Sequence, residues 1–163
     1  MSRTIVLSAL LAVVPLSAVA MDVTPDPSQL KWGPAPAGLP PGSQVAVVSG
    51  DPGGNGAYVI RVNMPVGYVV PPHTHPTDEN VTVLSGTLHF AMGGTLDKSK
   101  GDPVKAGGFF RAEQGMPHYA WASEPTVIQI HGMGPFAIQY VNSTDDPRNM
   151  STMSTGSAPK NGK

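Results

Sequence analysis

Residues 67–86 read GYVVPPHTHPTDENVTVLSG, and they place two histidines and a glutamate close together. His73 and His75 are two residues apart, so on an extended strand both side chains point to the same face. Glu79 follows Pro76-Thr-Asp, a turn-forming sequence that can bring the chain back toward that face. Imidazole nitrogen and carboxylate oxygen together form a donor set for a divalent first-row metal. The stretch therefore predicts a metal site.

The spacing of this stretch resembles the first motif of the cupin superfamily. Five residues occupy the fixed positions of that motif: Gly67, His73, His75, Glu79 and Gly86. Cupins carry a second motif that supplies one more histidine, and residues 107–122, GGFFRAEQGMPHYAWA, are the best match to it. Three residues of this second stretch fall where the pattern puts them: Gly107, Gly115 and His118. It departs from the pattern at Glu113, where proline is usual, and at Ala122, where asparagine is usual.

The resemblance implies an all-β, single-domain protein with a cupin-type β-barrel, also called a double-stranded β-helix and similar to a jelly roll. It also implies one metal ion held by four side chains: His73, His75, Glu79 and His118. The superfamily includes dioxygenases, isomerases, lyases, hydrolases and non-catalytic sensors, so the fold alone does not choose the reaction.

Composition supports the same fold class. The chain has 163 residues, with 19 glycines and 18 prolines that separate many short apolar runs, which is typical of an all-β domain. The net charge is −1, so no basic surface argues for nucleic acid or for an anionic membrane. The chain has no cysteine, which excludes thiol chemistry and thiolate metal sites.

Four segments are predicted. Residues 1–20 combine Arg3, an apolar run and a small-residue end at Ala18-Val-Ala, which indicates a cleaved signal peptide because the run is too short for a membrane anchor. Residues 21–43 are a proline-rich arm that either packs on the barrel or a partner subunit, or is a loose tail. Residues 44–142 are the barrel, and residues 143–163 are a flexible tail.

Within the barrel, alternating and β-branched runs predict strands before and after the first motif. The predicted strands are Gln44–Ser49, Ala57–Met64, Asn80–Leu84, Thr87–Met92, Gly108–Ala112, His118–Ala122, Thr126–His131 and Phe136–Val141, besides the strand that carries the two motif histidines. Residues 93–105 are predicted to form a loop with one helical turn.

Two residues are candidates for proton transfer. Tyr68 directly precedes the motif strand, so its hydroxyl could act as an acid. His131 alternates with two isoleucines in the sequence TVIQIHG: either Ile128 and Ile130 face the barrel interior, or Gln129 and His131 do. The second arrangement is preferred here, and it would put an acid or base near the pocket.

Other side chains near the second motif bear on the shape of a pocket. Ala120 and Ala122 share the face of His118, so small residues are expected to leave room for an organic ligand beside the metal. Arg111 is expected either to pair with Glu113 at the surface or to bind a substrate carboxylate. His89, in a separate strand, is expected to pack and not to bind metal.

The expected function is an exported, metal-dependent enzyme that acts on a small organic molecule, with oxygenase-type chemistry favoured. The alternatives are a non-catalytic cupin that binds or senses a ligand, and an isomerase, lyase or hydrolase that uses the metal as a Lewis acid. One divalent transition metal is expected; Fe or Mn is favoured for redox chemistry, whereas Zn, Ni, Cu and Co also suit the donor set. The protein is expected in the periplasm or secreted, as a homodimer, with no nucleic-acid partner and no membrane association once the signal is removed.

Overall fold

Apolar alternation in the sequence becomes eleven strands in the computed structural model, which describes residues 26–149. The predicted signal peptide and the end of the predicted tail lie outside the described residues. In chain order the strands are β1 (Gly33–Pro34), β2 (Gln44–Ser49), β3 (Ala57–Met64), β4 (Val69–Thr74), β5 (Glu79–Ser85), β6 (Thr87–Met92), β7 (Asp102–Lys105), β8 (Phe109–Ala112), β9 (His118–Ala122), β10 (Thr126–Met133) and β11 (Gln139–Tyr140). Three short 3-10 turns lie at Pro27–Gln29, Lys98–Lys100 and Ser143–Asp145, and residues 147–149 are helical. The all-β prediction is confirmed.

The strands form two antiparallel sheets that share one core. A six-stranded sheet has the order β1-β2-β3-β10-β5-β8, and a five-stranded sheet has the order β11-β4-β9-β6-β7. Most strands that are neighbours in a sheet are therefore not consecutive in the chain, so both sheets depend on contacts between residues that are distant in sequence. The histidine-bearing strands β4 and β9 are neighbours in the middle of the five-stranded sheet.

Strand β3 shows how the sequence builds the core. Its burial alternates along its whole length, with Tyr58, Ile60, Val62 and Met64 buried and the residues between them partly exposed. This is the period of two that places successive side chains on opposite faces of a sheet. The buried face meets apolar side chains of the opposite sheet, such as Leu88, in one cluster.

The two motif glycines are both in the left-handed backbone region. Gly67 has φ +78° before β4, and Gly86 has φ +74° between β5 and β6. A side chain disfavours this region, so glycine is the residue that allows these two tight turns.

Two predicted segments differ from the structure. Residues 93–105 contain the expected helical turn but also the strand β7, which lies at the sheet edge, where Pro103 is tolerated because its missing N–H is not needed. The predicted last strand, Phe136–Val141, is reduced to two residues, since Phe136 and Ile138 turn into the core and leave the ladder.

The proline-rich arm packs on the barrel over its described part. Its strand β1 pairs with β2, and Leu39 is buried in the core. At the other end, residues 143–149 of the predicted tail are ordered, and the Arg148 guanidinium donates a hydrogen bond to the Ile138 carbonyl at 3.0 Å. Within residues 26–149 the structure has no helix that is long and apolar enough to span a bilayer.

Candidate metal centre

Three strands bring the motif side chains together. His73 on β4 lies directly opposite His118 on β9 in the antiparallel register. His75 directly follows the end of β4, and Glu79 is the first residue of β5 in the other sheet. The exposed fractions of these four residues are small: 4% for His73, 4% for His75, 7% for Glu79 and 2% for His118. The site therefore lies in the interior, between the two sheets.

A β-bulge in β4 aims His73 inward. Val70 pairs with Ala120 and His73 pairs with His118, so three steps along β4 match two steps along β9. Pro71 and Pro72 occupy the irregular part, where proline removes the backbone donors that a regular ladder needs. Val70 and His73 are three residues apart and would face opposite sides of a regular strand. Because of the extra residue in the bulge, both face the interior.

The backbone fixes the same tautomer in all three imidazoles. Each Nδ1 atom lies at hydrogen-bond distance from a main-chain carbonyl, and a carbonyl can only accept, so each Nδ1 must carry the proton. The acceptors for His73, His75 and His118 are, in that order, the carbonyls of Pro71 (2.7 Å), Ala137 (2.8 Å) and Met116 (2.9 Å). In the neutral ring each Nε2 atom then presents a lone pair, which is the arrangement of metal-binding histidines.

The ligand atoms converge on one point that needs a cation. One ligand atom from each of the three histidines lies within 4.8 Å of the others. Glu79 Oε2 is 3.4 Å from His75 Nε2 and 3.6 Å from His118 Nε2. Both of these nitrogens are buried and have no hydrogen-bond partner. Lone pairs that face a carboxylate without a proton or metal between them are unfavourable, so the three histidines are suited to hold a metal ion.

Burial and neighbouring charges act differently on the donors. Burial lowers the pKa of His73 to about 3, and the neighbouring His118 and His75 act in the same direction, so this imidazole is neutral. Burial opposes the charge of Glu79, but His75 and His118 outweigh it and hold the pKa of this carboxyl well below its usual range. Burial also opposes protonation of His75, yet Glu79 outweighs it and raises the pKa of that imidazole.

Bound metal is expected to be lost on acidification. A proton and a metal ion compete for the same Nε2 lone pair, and protonation grows as the pH falls. Because Glu79 raises the pKa of His75, competition begins at His75 at a higher pH than at His73. In the metal-free protein the protonated His75–Glu79 pair stabilises the fold below the ordinary histidine pKa, and this contribution disappears as pH rises through the raised value. Metal content after dialysis at a series of pH values checks the loss of metal on acidification, and full occupancy below pH ~4 would contradict it.

An apolar chamber adjoins the site. It is a cavity of about 40 Å³, whereas one water needs ~10–15 Å³. Side chains from both sheets line it, and only four of them are polar: Tyr68, His73, Glu79 and His118. The apolar lining is Leu39, Val62, Met64, Val70, Val81, Leu88, Phe90, Phe110, Ala120, Ile128, Ile130, Phe136 and Ile138. A ligand in the chamber would therefore meet the candidate metal ligands at one end and apolar side chains elsewhere.

The preferred orientation of β10 is wrong. Ile128 and Ile130 are buried and line the chamber, whereas His131 lies on the opposite face, on an open surface groove, with its ring 6.5 Å from that of Phe109. The physical reason is the hydrophobic effect, which puts the two isoleucines on the core face of a strand whose alternate residues are polar. Gln129 shares the outer face and accepts a hydrogen bond from the Arg61 guanidinium at 3.1 Å. His131 is thus not placed to act at the chamber.

Tyr68 does line the chamber, but its hydroxyl is already used. It donates to the Pro40 carbonyl at 2.6 Å and accepts from the Ser43 hydroxyl at 2.9 Å. Burial raises its pKa, against the hydrogen bond from Ser43. The hydroxyl therefore holds the proline-rich arm against the barrel, and its proton is not available for the expected role as an acid.

The two alanines of β9 lie in different surroundings. Ala120 lines the chamber beside His118, as expected, whereas Ala122 is fully buried in the core away from it. Arg111 lies at the surface, 2.8 Å from the Glu113 carboxylate and 3.7 Å from that of Asp78, and it does not line the chamber. The surface-pair alternative for Arg111 is the one observed.

Three contributors to the site are not predicted by the sequence. The Ala137 carbonyl orients His75, Phe136 stacks on the His75 ring at 5.6 Å, and Leu39 of the arm lines the chamber. The apolar residues at 136–138 are visible in the sequence, but their pattern predicts a strand. Nothing in the local sequence around Leu39 marks it as part of a metal centre.

Comparison with known proteins agrees with this architecture. The model of the ChrR cupin-like domain family matches residues 20–137. No curated protein sequence matches the chain. Among solved structures, the chain resembles the polyketide cyclase RemF from Streptomyces resistomycificus, with TM-score 0.63 and 16% identity over 82% of this chain and 94% of that one.

Two further solved structures share the fold. A protein from Methylibium petroleiphilum PM1, provisionally assigned as an acetylacetone dioxygenase, has TM-score 0.60 and 17% identity, over 81% of this chain and 89% of its own. An RmlC-like cupin from Shewanella frigidimarina NCIMB 400 has TM-score 0.52 and 13% identity, over 67% of this chain and 88% of its own. The family match spans most of the chain and both histidine motifs, so this protein belongs to the ChrR cupin-like domain family of the cupin superfamily.

Proposed function

We propose that this protein is an exported, metal-dependent cupin enzyme that acts on a small organic molecule, with oxygenase-type chemistry. The observation that carries the proposal is a cluster of three buried histidines whose Nδ1 protons are bound to carbonyls and whose lone pairs converge beside an apolar chamber. Buried lone pairs of this kind are stabilised by a metal ion, and the adjoining space leaves room for a ligand.

Four side chains would hold the metal: His73, His75, Glu79 and His118. Three neutral imidazoles and one carboxylate leave a divalent site with a charge of about +1, so a small anion or a polarisable oxygen could bind there. When bound, the metal would supply Lewis-acid or redox chemistry at coordination positions that the protein does not fill. The chain itself fixes the imidazole tautomers, keeps the carboxylate charged and excludes bulk water.

The composition of the chamber favours redox chemistry over acid–base chemistry. Among the described residues, the titratable side chains that line the chamber are those of His73, Glu79, His118 and Tyr68. The Tyr68 hydroxyl is already hydrogen-bonded to the Pro40 carbonyl of the arm. A hydrolase, lyase or isomerase usually needs a positioned proton donor or acceptor besides the metal. An oxygenase can rely on the metal itself, which supports Fe or Mn as the ion ahead of Zn, Ni, Cu or Co.

The second candidate is a non-catalytic cupin that binds or senses a small ligand. The specific observation in its favour is the small size of the chamber, about 40 Å³, which leaves no space for a substrate of many atoms in this conformation. Dioxygen uptake separates the candidates when phenolic and keto compounds are offered to the Fe(II)-loaded protein. Uptake that is lost in His118→Ala supports the oxygenase, and ligand binding without turnover under any metal supports the sensor.

Filling the chamber is expected to block ligand access without removing metal. Ala120→Val adds bulk next to His118 but changes no ligand atom, so metal content should stay near that of the wild type. Azide binding to the Co(II)-loaded protein, followed by its visible spectrum, should weaken by roughly tenfold, a free energy of about 1.4 kcal/mol.

The matched control for this variant is Ala91→Val. Ala91 is also buried, but it packs with Tyr119 and Trp121 on the other face of the five-stranded sheet. It should carry a similar overpacking cost of ~1–3 kcal/mol and keep the azide response of the wild type. Equal azide affinities in the two variants would show that the chamber is not the route to the metal.

Export and assembly complete the proposal. The mature chain would begin near Met21 after signal cleavage and would reach the periplasm or the medium as a homodimer, with a small molecule as its partner. Intact mass of protein recovered from outside the cytoplasm tests the cleavage, and native mass spectrometry tests the dimer. A mature protein that retains residues 5–14 would contradict export by a cleaved signal.

A further inference from the structure

One wall of the chamber comes from outside the barrel strands. Leu39 lies between β1 and β2, in the proline-rich arm, and the residue is 7% exposed. It packs in the same core cluster as the barrel residues Val62 and Ile128, and all three line the chamber. A residue of a connecting segment therefore lines a cavity whose other walls come mostly from the two sheets.

Two tyrosines fasten the backbone on both sides of Leu39. The Tyr140 hydroxyl donates to the Gly38 carbonyl at 2.9 Å, and the Tyr68 hydroxyl donates to the Pro40 carbonyl at 2.6 Å. Tyr68 directly precedes β4, the strand that carries His73, and Tyr140 pairs with His73 across β11 and β4. The position of Leu39 is thus set by the same strands that set the metal ligands.

Leu39 separates two spaces. The chamber lies on one side, and an outer groove of about 170 Å³ lies on the other, lined by Pro36, Gly38 and Arg148 as well. Leu39, Phe136 and Ile138 line both spaces, so the partition is one layer of side chains thick. Apart from Tyr68, the other residues that line the chamber belong to strands of the two sheets, so this layer is the part of the wall that the connecting segments supply.

The size of the chamber limits what fits while Leu39 is in place. Its volume of about 40 Å³ suits a molecule of a few atoms, whereas an apolar cavity of ~150 Å³ is known to hold benzene. Beyond the metal-ligand end, the lining is apolar apart from Tyr68, whose hydroxyl is bound to Ser43 and Pro40. A polar ligand body would lose its hydrogen bonds to water there without replacement.

We infer that Leu39 sets the size of the molecule that can reach the metal-ligand cluster, and that this molecule presents an apolar body to the chamber. The identification of that molecule as a substrate rests on the proposed function, but the role of Leu39 as the size limit does not. Removing the Leu39 side chain joins the chamber to the outer groove and admits a ring-sized apolar ligand.

The experiment compares benzene and xenon binding to the wild type, Leu39→Ala and Ile60→Ala. Ile60 is a buried core residue of equal size that does not line the chamber, so its variant controls for cavity creation in general. Chemical shifts of the Ala120, Ile128 and Val62 methyl groups report binding in the chamber, and crystals under xenon or benzene give the position. Leu39→Val, which removes less volume, replaces Leu39→Ala if the latter does not fold, with xenon occupancy as the readout.

In Leu39→Ala, benzene is expected in the chamber with an affinity at least ~10-fold higher than in the wild type or in Ile60→Ala. Equal benzene affinity in the chamber of the wild type and of Leu39→Ala overturns the inference, and so do ordered waters in place of benzene in the enlarged chamber. If Leu39→Val is used instead, a xenon occupancy in the chamber equal to that of the wild type overturns the inference.

Metal content separates the failure of this inference from the failure of the proposed function. A protein whose Leu39→Ala variant binds benzene, but which takes up no metal, refutes the metal-dependent function and leaves the role of Leu39 standing. A protein that is fully loaded with metal, but whose chamber excludes benzene in Leu39→Ala, refutes only the role of Leu39.

Discussion

Alanine in place of His73, His75 or His118 is expected to remove most of the bound metal. Each substitution deletes a donor atom from a buried cluster whose members lie within 4.8 Å of one another. The loss of affinity should exceed the ~10–100-fold that removal of an outer hydrogen-bond partner of a metal ligand typically costs. Because metal binding also stabilises the fold, the melting temperature of the metal-loaded protein should fall with it.

His89→Ala is the matched control for these variants. The His89 ring stacks on Trp121 at 4.9 Å, on the outer face of the five-stranded sheet, and it does not belong to the cluster. It should keep full metal content, as measured by elemental mass spectrometry after dialysis. Stoichiometric metal in any two of the three cluster variants would remove the assignment of the site.

Gly86→Ala is expected to be the most destabilising glycine substitution in the first motif. Gly86 has φ +74°, a region in which a side chain costs ~1–2 kcal/mol. An added Cβ would also collide with the Pro125 carbonyl and would lie 2.6 Å from the Thr126 hydroxyl. Overpacking of this kind costs a further ~1–3 kcal/mol, so the free energy of unfolding should fall by about 2–5 kcal/mol.

Gly67→Ala isolates the backbone part of that effect. Gly67 has nearly the same conformation, φ +78°, but a Cβ there would meet nothing within 4 Å. Urea unfolding of both variants should therefore show a loss of only ~1–2 kcal/mol for Gly67→Ala. Equal losses in the two variants would mean that contact with the Pro125–Thr126 backbone does not explain the glycine at position 86.

Much of the fold could be predicted because its signals are local. Strands β3 and β9 begin and end where alternation and β-branched runs predict, and β2 and β6 match as well. The candidate metal site is predictable for a different reason. His73, His75 and Glu79 occur within seven positions of one another, and the resemblance of residues 107–122 to the second motif adds His118; imidazoles and a carboxylate that are buried together need a cation.

The remaining features depend on contacts between distant residues. A strict period of two would put Val70 and His73 on opposite faces, and only the bulge beside β9 brings both inside. The Ala137 carbonyl reaches His75 across 62 positions, so no local pattern announces it. Leu39 likewise owes its place in the chamber to Tyr68 and Tyr140, two residues far away in the sequence.

The orientation of β10 was predictable but was predicted wrongly. Both alternatives are open for the alternating residues of TVIQIHG, and a preference for His131 gives more weight to chemistry than to burial. The burial of two isoleucine side chains stabilises by ~1.5–3 kcal/mol each, which outweighs any gain from turning Gln129 and His131 inward.

The most direct test of the metal centre is elemental analysis of the protein purified from the cells that make it. A cluster that binds metal through these four side chains should yield about one divalent transition-metal ion per chain, Fe or Mn for the oxygenase, and should lose it in His118→Ala. A folded protein that carries only trace metal, and that takes up none when Fe(II), Mn(II) or Zn(II) is supplied, would contradict the assignment of a metal centre.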